Sequence, residues 1–178
     1  MDTDEVDFAL RYVLRKSLVK AFYVIGRDEL PSIPLSNLPL CAVVNTDDSD
    51  KKGLHWTAFF VKYVNSKAVG YFFDSYANSY KHYGFEPPFK IIDWSRRVLQ
   101  SPSSSTCGLW SILFLHHMYY SHSVKSFESM FSNNLCQNES KLIKMINSLY
   151  IPINTIIPID QTSSKCAMSC CPRTLNNH

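Results

Sequence analysis

The chain has 178 residues and a nearly balanced charge, because 18 lysines and arginines oppose 15 acidic residues for a formal net charge of +3. This length suits one compact domain. A hydrophobic share of 46% and an aromatic share of 13% exclude disordered and low-complexity chains. The charge excess is too small to indicate a nucleic-acid binder. Residues 1–5 are acidic where a signal peptide is basic, and no apolar run could span a bilayer, so we expect an intracellular protein that is neither secreted nor membrane-bound.

The hydrophobic pattern predicts a first helix, then strands, then further helices. In chain order these are a helix over 3–20, a strand over 40–45, a hairpin with strands at 55–63 and 68–74, a strand within 90–100, and helices over 108–120, 124–131 and 139–149. Prolines mark a loop over 31–39, and residues 75–88 are expected to be irregular with one helical turn. Residues 1–150 therefore form one predicted domain, and residues 151–178 a predicted extended or loosely ordered tail.

Six cysteines are spread along the chain, and without a secretion signal they are expected to be reduced thiols. Cys41 lies in an apolar run and is expected in the core. Three cysteines near the end lack the paired CxxC spacing of structural zinc sites, so no metal site is predicted. The cysteines without an assigned role are Cys136, Cys166, Cys170 and Cys171. Only Cys107 has surroundings that indicate chemistry.

Cys107 stands where a loop of small polar residues meets the predicted buried helix. Unpaired N–H groups and the positive end of the dipole at a helix start favour the thiolate, which is the reactive form of cysteine. Gly108 beside it would let a substrate backbone come close. A nucleophilic cysteine also needs a general base, for which histidine is the commonest residue.

His55 and Asp74 can supply that base and a carboxylate to orient it. His55 begins the first strand of the predicted hairpin, and Asp74 ends the second. If the turn centres near Val64-Asn65, the two residues lie directly opposite each other, and if it centres one step later they are diagonal neighbours on the same face. Either register brings the side chains within reach. A carboxylate touching the imidazole fixes its tautomer and supports the imidazolium, as in a nucleophile–base–orienter triad.

Gln100 lies seven residues before Cys107 and completes the set. Its side-chain amide can join the Cys107 backbone N–H in an oxyanion hole, which stabilises the charge that develops on a scissile carbonyl. Such a site requires neither a metal nor an organic cofactor, and the sequence predicts none.

Four stretches carry a family resemblance: 40–46 (LCAVVNT), 53–59 (GLHWTAF), 71–74 (YFFD) and 100–109 (QSPSSSTCGL). Together they resemble the adenovirus-type processing cysteine protease (adenain) and its relatives, in the family's order His, acid, Gln, Cys. The resemblance runs from about residue 20 to residue 120. The seven-residue offset from Gln100 to Cys107 is similar to adenain, whereas SUMO-directed relatives of the same CE clan usually keep six. The His55-Trp56 pair is shared across the clan.

The resemblance implies an α+β fold of the adenain and SUMO-protease type, with a central mixed sheet and the nucleophile at the N-terminus of a buried helix. The implied roles are His55 as base, Asp74 as orienter, Cys107 as nucleophile, Gln100 as oxyanion donor with the Cys107 N–H, and Trp56 and Gly108 as cleft residues. Adenain itself usually has Glu at the position of Asp74, and Asp serves equally in other clan members.

The resemblance also implies two activators, DNA and a short viral peptide. Adenovirus enzymes join that peptide by a disulfide to a cysteine upstream of the Gln. The matching stretch here, residues 89–92, has no cysteine, and the segment from Asp74 to Cys107 is shorter. These departures argue against activation by a disulfide-linked peptide, and a charge of +3 gives DNA little support.

The predicted function is a cysteine endopeptidase that processes structural precursor proteins of a virus or a virus-like DNA transposon near Gly-Gly or Gly-x pairs. Expected partners are polypeptides such as capsid or core precursors, with the enzyme acting as a monomer in the host nucleus or the virion. One alternative is a deconjugating protease acting on a ubiquitin-like, SUMO-type modifier. A second is a non-catalytic binding module derived from a protease, which the four filled chemical positions argue against.

Overall fold

A computed structural model describes residues 1–149 of the chain. Its helices are α1 (Thr3–Val13), α2 (Cys107–Ser121), α3 (Val124–Ser129) and α4 (Leu135–Ser148), and its strands are β1 (Ala21–Ile25), β2 (Leu40–Asn45), β3 (Trp56–Val64), β4 (Lys67–Phe73) and β5 (Lys90–Trp94). Short 3-10 helices cover Arg27–Ser32 and Tyr80–Tyr83. The tail predicted for residues 151–178, with three of the cysteines, lies outside the described residues. The domain boundary therefore stays a prediction.

The five strands form one sheet in the order β1-β2-β3-β4-β5. The two outer pairs are parallel and the two inner pairs are antiparallel, which confirms the central mixed sheet. The β3–β4 hairpin turns at Asn65 and Ser66, whose positive φ angles of 49° and 59° suit the tight primed turns that match strand twist. Because Val64 pairs with Lys67, the turn centres one step later than Val64-Asn65, and the diagonal register is the one the structure has.

Two hydrophobic clusters cover the two faces of the sheet. On one face, α2 packs across β3 and is itself covered by α1, α3 and α4. The residues of α2 itself are buried on nearly every face of the helix, which explains why its sequence is apolar without a polar stripe. On the other face, aromatic side chains such as Phe59, Phe72 and Phe85 pack under the loops and the first 3-10 helix. Within residues 1–149, no helix is long and apolar enough to cross a bilayer.

The start of the chain differs from the prediction of one helix over 3–20. The helix α1 ends at Val13, and a turn closed by the Ser17 N–H on the Leu14 carbonyl leads into β1. The prediction missed β1, although Ala21–Ile25 is an aromatic and β-branched run of the kind that forms strands. Acidic residues at 4–7 and basic residues at 11–20 suit the dipole of a longer helix, but pairing with β2 along five residues determines the outcome.

The helix α4 starts four residues earlier than the predicted residue 139. Its N-cap is Asn134, whose side chain accepts a hydrogen bond from the Gln137 N–H. The helices α2 and α3 and the strand β5 match the predictions to within a few residues. The earlier start of α4 places Asn138 and Glu139 in its first turns, facing the loop that precedes α2.

Candidate active site

His55 is held at the entrance of β3 by the end of β2. The His55 carbonyl accepts a hydrogen bond from the Thr46 N–H at 2.9 Å. Beside it, the side-chain carbonyl of Asn45 accepts the N–H of Leu54 at 3.2 Å. Gly53, with a φ of +84°, allows this close approach, since a Cβ there would lie 2.5 Å from the Asn45 amide nitrogen. The segment that carries the imidazole is therefore fixed by backbone and amide contacts.

Asp74 follows β4 and lies at the centre of a dense hydrogen-bond network, with no exposed surface. Its Oδ1 contacts His55 Nε2 at 2.6 Å and accepts the Tyr76 N–H at 3.0 Å. Its Oδ2 accepts the backbone and side-chain N–H groups of Asn78 and the hydroxyl of Tyr83. Burial alone would raise the pKa of Asp74, but these donors and the charge of His55 lower it. Asp74 is therefore an ionised acceptor for the imidazole.

Cys107 is the first residue of α2, and the packing of α2 on β3 brings it to His55. The Ser111 hydroxyl, one turn along α2, donates to the Trp56 carbonyl at 3.2 Å and ties the two elements together. At this junction the half-buried Cys107 thiol lies beside the His55 side chain, close enough for each group to shift the pKa of the other. The imidazole is thus hydrogen-bonded to the carboxylate and adjacent to the thiol, although 19 and 52 residues separate it from them along the chain.

The electrostatics of these three groups favour a thiolate–imidazolium pair. Burial would raise the pKa of Cys107, but hydrogen bonds from His55 and from the N–H groups of Trp56 and Gly108 lower it. Burial likewise opposes the charged form of His55, yet the contacts with Asp74 and Cys107 raise its pKa to about 9. Both shifts favour the charged pair, in which the proton resides on the imidazole and the sulfur is the nucleophile.

Gln100 is buried in the loop that leads to Cys107, with 1% of its surface exposed. The Ser75 carbonyl accepts the Leu99 and Gln100 N–H groups, so the loop starts against the residue that follows Asp74. The Gln100 side-chain carbonyl accepts the Ser75 hydroxyl at 2.7 Å, and its amide donates to the Ser104 carbonyl at 2.8 Å. The structure thus anchors the Gln100 side chain between Ser75 and Ser104, and its second amide N–H can serve another acceptor.

Trp56 and Gly108 pack together on the α1 side of the site. The Trp56 indole N–H donates to the Met1 carbonyl at 3.1 Å, and only 7% of the residue is exposed. A Cβ on Gly108 would lie 3.1 Å from the Met1 sulfur and 3.2 Å from a Val6 methyl. The lack of a side chain at Gly108 therefore permits the close packing of α1. Its predicted role in substrate approach stays a prediction.

The sequence reasoning missed several residues that build the site. Tyr76 lies against the imidazole, with ring centroids 5.0 Å apart. Tyr83 and Asn78 lie in the segment predicted only as irregular with one helical turn, and both bind Asp74. Asn78 could have been found from the sequence, because an Asp followed closely by small and amide residues is typical of side-chain-stabilised turns. No comparable sequence pattern indicates the contact of Tyr83 with Asp74.

A cysteine, a histidine and a buried carboxylate in one series, with the cysteine at a helix N-terminus, is the arrangement of papain-like cysteine peptidases. A family model described as adenovirus endoprotease matches residues 27–152. The chain therefore belongs to the adenovirus endoprotease family.

Relatives with a known description agree with this family. The chain is 30% identical over 125 residues to a protease of Frog adenovirus 1, covering 61% of this chain and 60% of that protein. It is 33% identical over 96 residues to a protease of Avian adenovirus 8, covering 44% of this chain and 46% of that protein. The matched region thus spans about half to three fifths of these relatives.

A solved structure of the ASFV pS273R protease shares the fold. The TM-score is 0.55 at 15% sequence identity, and the match covers 84% of this chain and 67% of that chain. This likeness, together with the mixed sheet and its helices, confirms the predicted α+β fold of adenain type.

Proposed function

We propose that the chain is a cysteine endopeptidase in which Cys107 is the nucleophile, His55 the acid–base catalyst and Asp74 the orienting carboxylate. The observation that carries this proposal is the 2.6 Å contact between His55 and the buried Asp74, with the imidazole beside the Cys107 thiol at the start of α2. The lowered pKa of the thiol and the raised pKa of the imidazole support the same roles.

The reaction follows from the positions of these groups. The Cys107 thiolate attacks the scissile carbonyl carbon, and the negative charge moves to the carbonyl oxygen. The proposed donors to that oxygen are the Cys107 N–H, which has no partner within α2, and the second Gln100 amide N–H. The His55 imidazolium gives its proton to the leaving amine, and a thioester remains. Water then attacks the thioester while His55 takes its proton, and the C–S bond breaks, which releases the acid and restores the thiolate–imidazolium pair.

Family membership supports polypeptide substrates of viral origin, and we propose structural precursors such as capsid or core proteins, cut near Gly-Gly or Gly-x pairs. We expect a substrate to approach a thiol at the N-terminus of a buried helix through a narrow gap. Such a gap favours residues without a side chain next to the scissile bond. We further propose a monomer that acts inside the infected cell, in the host nucleus or the virion.

The test is cleavage of viral structural precursors and of a Gly-Gly peptide by the purified chain. Cys107→Ala should abolish cleavage, a loss on the order of 10⁵-fold or more, because the covalent step has no other nucleophile. Cys41→Ala is the matched control, since it removes a thiol from the core of β2 without touching the site, and it should keep cleaving.

Cleavage by Cys107→Ala at the wild-type rate would refute the mechanism. A SUMO or ubiquitin fusion, offered in parallel, separates precursor processing from deconjugation, because only the deconjugating alternative predicts that the folded modifier is the better substrate. Cleavage assays with added duplex DNA or viral peptides show whether the activators implied by the family resemblance change the rate of cleavage.

A further inference from the structure

The loop that precedes Cys107 is held by two neighbouring residues of α4. The Asn138 side chain is 1% exposed and bonds the Leu99 carbonyl at 3.5 Å, where the loop begins. Next to it, Glu139 Oε1 accepts the Ser101 N–H at 3.1 Å, and Glu139 Oε2 accepts the Thr106 hydroxyl at 2.7 Å. The first turns of α4 therefore bind the loop by hydrogen bonds at its start and at its end.

The helix α4, which makes these contacts with the loop, is anchored in the hydrophobic core. Leu142 and Ile146 of α4 are fully buried in the cluster that contains α2, so the helix cannot shift without disturbing the core. A carboxylate fixed on such a helix sets the position of whatever it binds. The Glu139 contacts are long-range, 33 residues from Thr106 and 38 from Ser101.

The contact with Thr106 has a specific chemical effect. Thr106 is the N-cap of α2, and a threonine there ordinarily accepts a hydrogen bond from an N–H of the first helical turn. Here the Thr106 side chain makes no such capping bond: its backbone ψ is 14° rather than extended, its hydroxyl donates to Glu139, and its oxygen lies 2.8 Å from the Ser104 hydroxyl. These two contacts hold the hydroxyl in an orientation that does not cap α2, so the first-turn N–H groups lack their usual acceptor, and that of Gly108 helps to lower the pKa of Cys107.

The same hydrogen bonds extend to Gln100, the proposed oxyanion donor. Ser104, which is bonded to Thr106, accepts the Gln100 side-chain amide at 2.8 Å through its carbonyl. Glu139, Thr106, Ser104 and Gln100 thus form one chain of hydrogen bonds from α4 to the wall of the site. A displaced Glu139 would move both the donor amide and the helix start.

We propose that Glu139 is a positioning residue for catalysis, which withholds the Thr106 hydroxyl from the start of α2 and sets the loop that carries Gln100. This inference rests on the proposed function and adds a residue that touches neither the substrate nor the reacting atoms. Its role is to keep the N–H groups at the α2 start available to the thiolate and the oxyanion.

The test is the kinetics of Glu139→Ala and Glu139→Gln with a Gly-Gly peptide, beside Lys144→Ala on the exposed side of α4 as matched control. Glu139→Ala should lower kcat on the order of 10- to 100-fold with KM changed less than twofold, because donors that are misplaced act mainly on the transition state. Glu139→Gln retains one acceptor oxygen and should fold like the wild type, with a smaller loss of kcat. Lys144→Ala should match the wild type.

Two further measurements distinguish positioning from a general structural role. Adding Thr106→Ala to Glu139→Ala removes the hydroxyl that would cap α2, so the double variant should recover part of the lost kcat. The alkylation rate of Cys107 by iodoacetamide, followed by mass spectrometry across pH, should show a raised thiol pKa in Glu139→Ala. Simple removal of a nearby negative charge would lower that pKa instead.

Wild-type kcat in folded Glu139→Gln and Glu139→Ala would overturn the proposal, as would a double variant no faster than Glu139→Ala or an alkylation profile shifted to lower pH. These outcomes are separate from the fate of the proposed function. If Cys107→Ala is inactive while the Glu139 variants are fully active, the peptidase mechanism stands and only the role of Glu139 fails.

Discussion

The two halves of the candidate site are held in place by different means. His55 directly precedes β3 and Asp74 directly follows β4, so the backbone pairing of the hairpin brings the two residues near each other. Gln100 and Cys107 depend on a loop without regular structure, which is secured by side chains from other elements, with Glu139 among them. The base and its carboxylate are thus placed by the ladder of a hairpin, whereas the oxyanion donors are placed by individual hydrogen bonds.

This difference predicts how a substitution in each half of the site reduces activity. In the hairpin half, a substitution should change the chemistry of one group and leave its position intact. In the loop half, a substitution at a supporting residue should displace donors that it does not replace. Three substitutions test this comparison, from the largest expected effect to the smallest.

Asp74→Ala should have the largest effect, lowering kcat on the order of 10³–10⁴-fold, because the imidazole loses its orienting partner and its compensating charge. Asp74→Asn keeps an acceptor oxygen and should be less severe. It should also move the alkaline limb of the pH profile, which for the wild type lies near the His55 pKa of about 9, towards neutral pH. The shift is downward because the lost negative charge no longer raises the pKa of His55.

The control is Asp93→Asn, which alters an aspartate at the end of β5 that pairs with Arg96 on the surface. It should leave both the rate and the pH profile unchanged. Measurement of kcat/KM from about pH 5 to 10 decides the question, and an alkaline limb that stays in place in Asp74→Asn would contradict the role of Asp74 as the charge that supports the imidazolium.

Gln100→Ala should lower kcat on the order of 10²–10³-fold, as expected when one oxyanion donor is removed. Ser75→Ala is the matched variant in the same pair, since it removes the partner of the Gln100 carbonyl but leaves the donating amide. Its loss should be far smaller. Equal losses for the two variants, measured by steady-state kinetics on one peptide, would reassign Gln100 to a purely structural role.

Tyr83→Phe should have the smallest effect, about a threefold to tenfold loss of kcat/KM, because Asp74 keeps the two Asn78 donors. Burial and the nearby Asp74 raise the pKa of Tyr83, so its hydroxyl remains a protonated donor throughout the working pH range. Tyr80→Phe removes a hydroxyl from the same 3-10 helix and serves as control. A larger loss in Tyr80→Phe than in Tyr83→Phe would contradict the assigned contact.

The sequence predicted the hairpin half more completely than the loop half, for a physical reason. Two apolar, aromatic and β-branched runs joined by a short polar turn define a hairpin within about 20 residues, so the proximity of His55 and Asp74 could be derived from local pattern. Cys107 could be found because a loop of small residues ends abruptly at an apolar helix. Glu139 could not be found, because its partner Thr106 is 33 residues away and nothing in the local pattern of α4 indicates the contact.

The same reasoning explains the error at the start of the chain. A parallel pair such as β1 and β2 needs a connection that crosses over, so neither strand predicts the other locally. The charge gradient over residues 4–20, in contrast, is a local signal and favoured a helix. Long-range pairing determined the result, and α1 ends at Val13.

The contrast between Cys41 and Cys107 has a consequence for the redox conditions under which the site can exist. Cys41 is fully buried, which raises the pKa of its thiol and keeps it unreactive. Cys107 is half-buried, and although burial opposes ionisation, His55 lowers the pKa of the thiol and favours the thiolate, the form that peroxide converts to sulfenic acid. Mild oxidation therefore attacks the nucleophile before the core, and a thiol reductant reverses that first step.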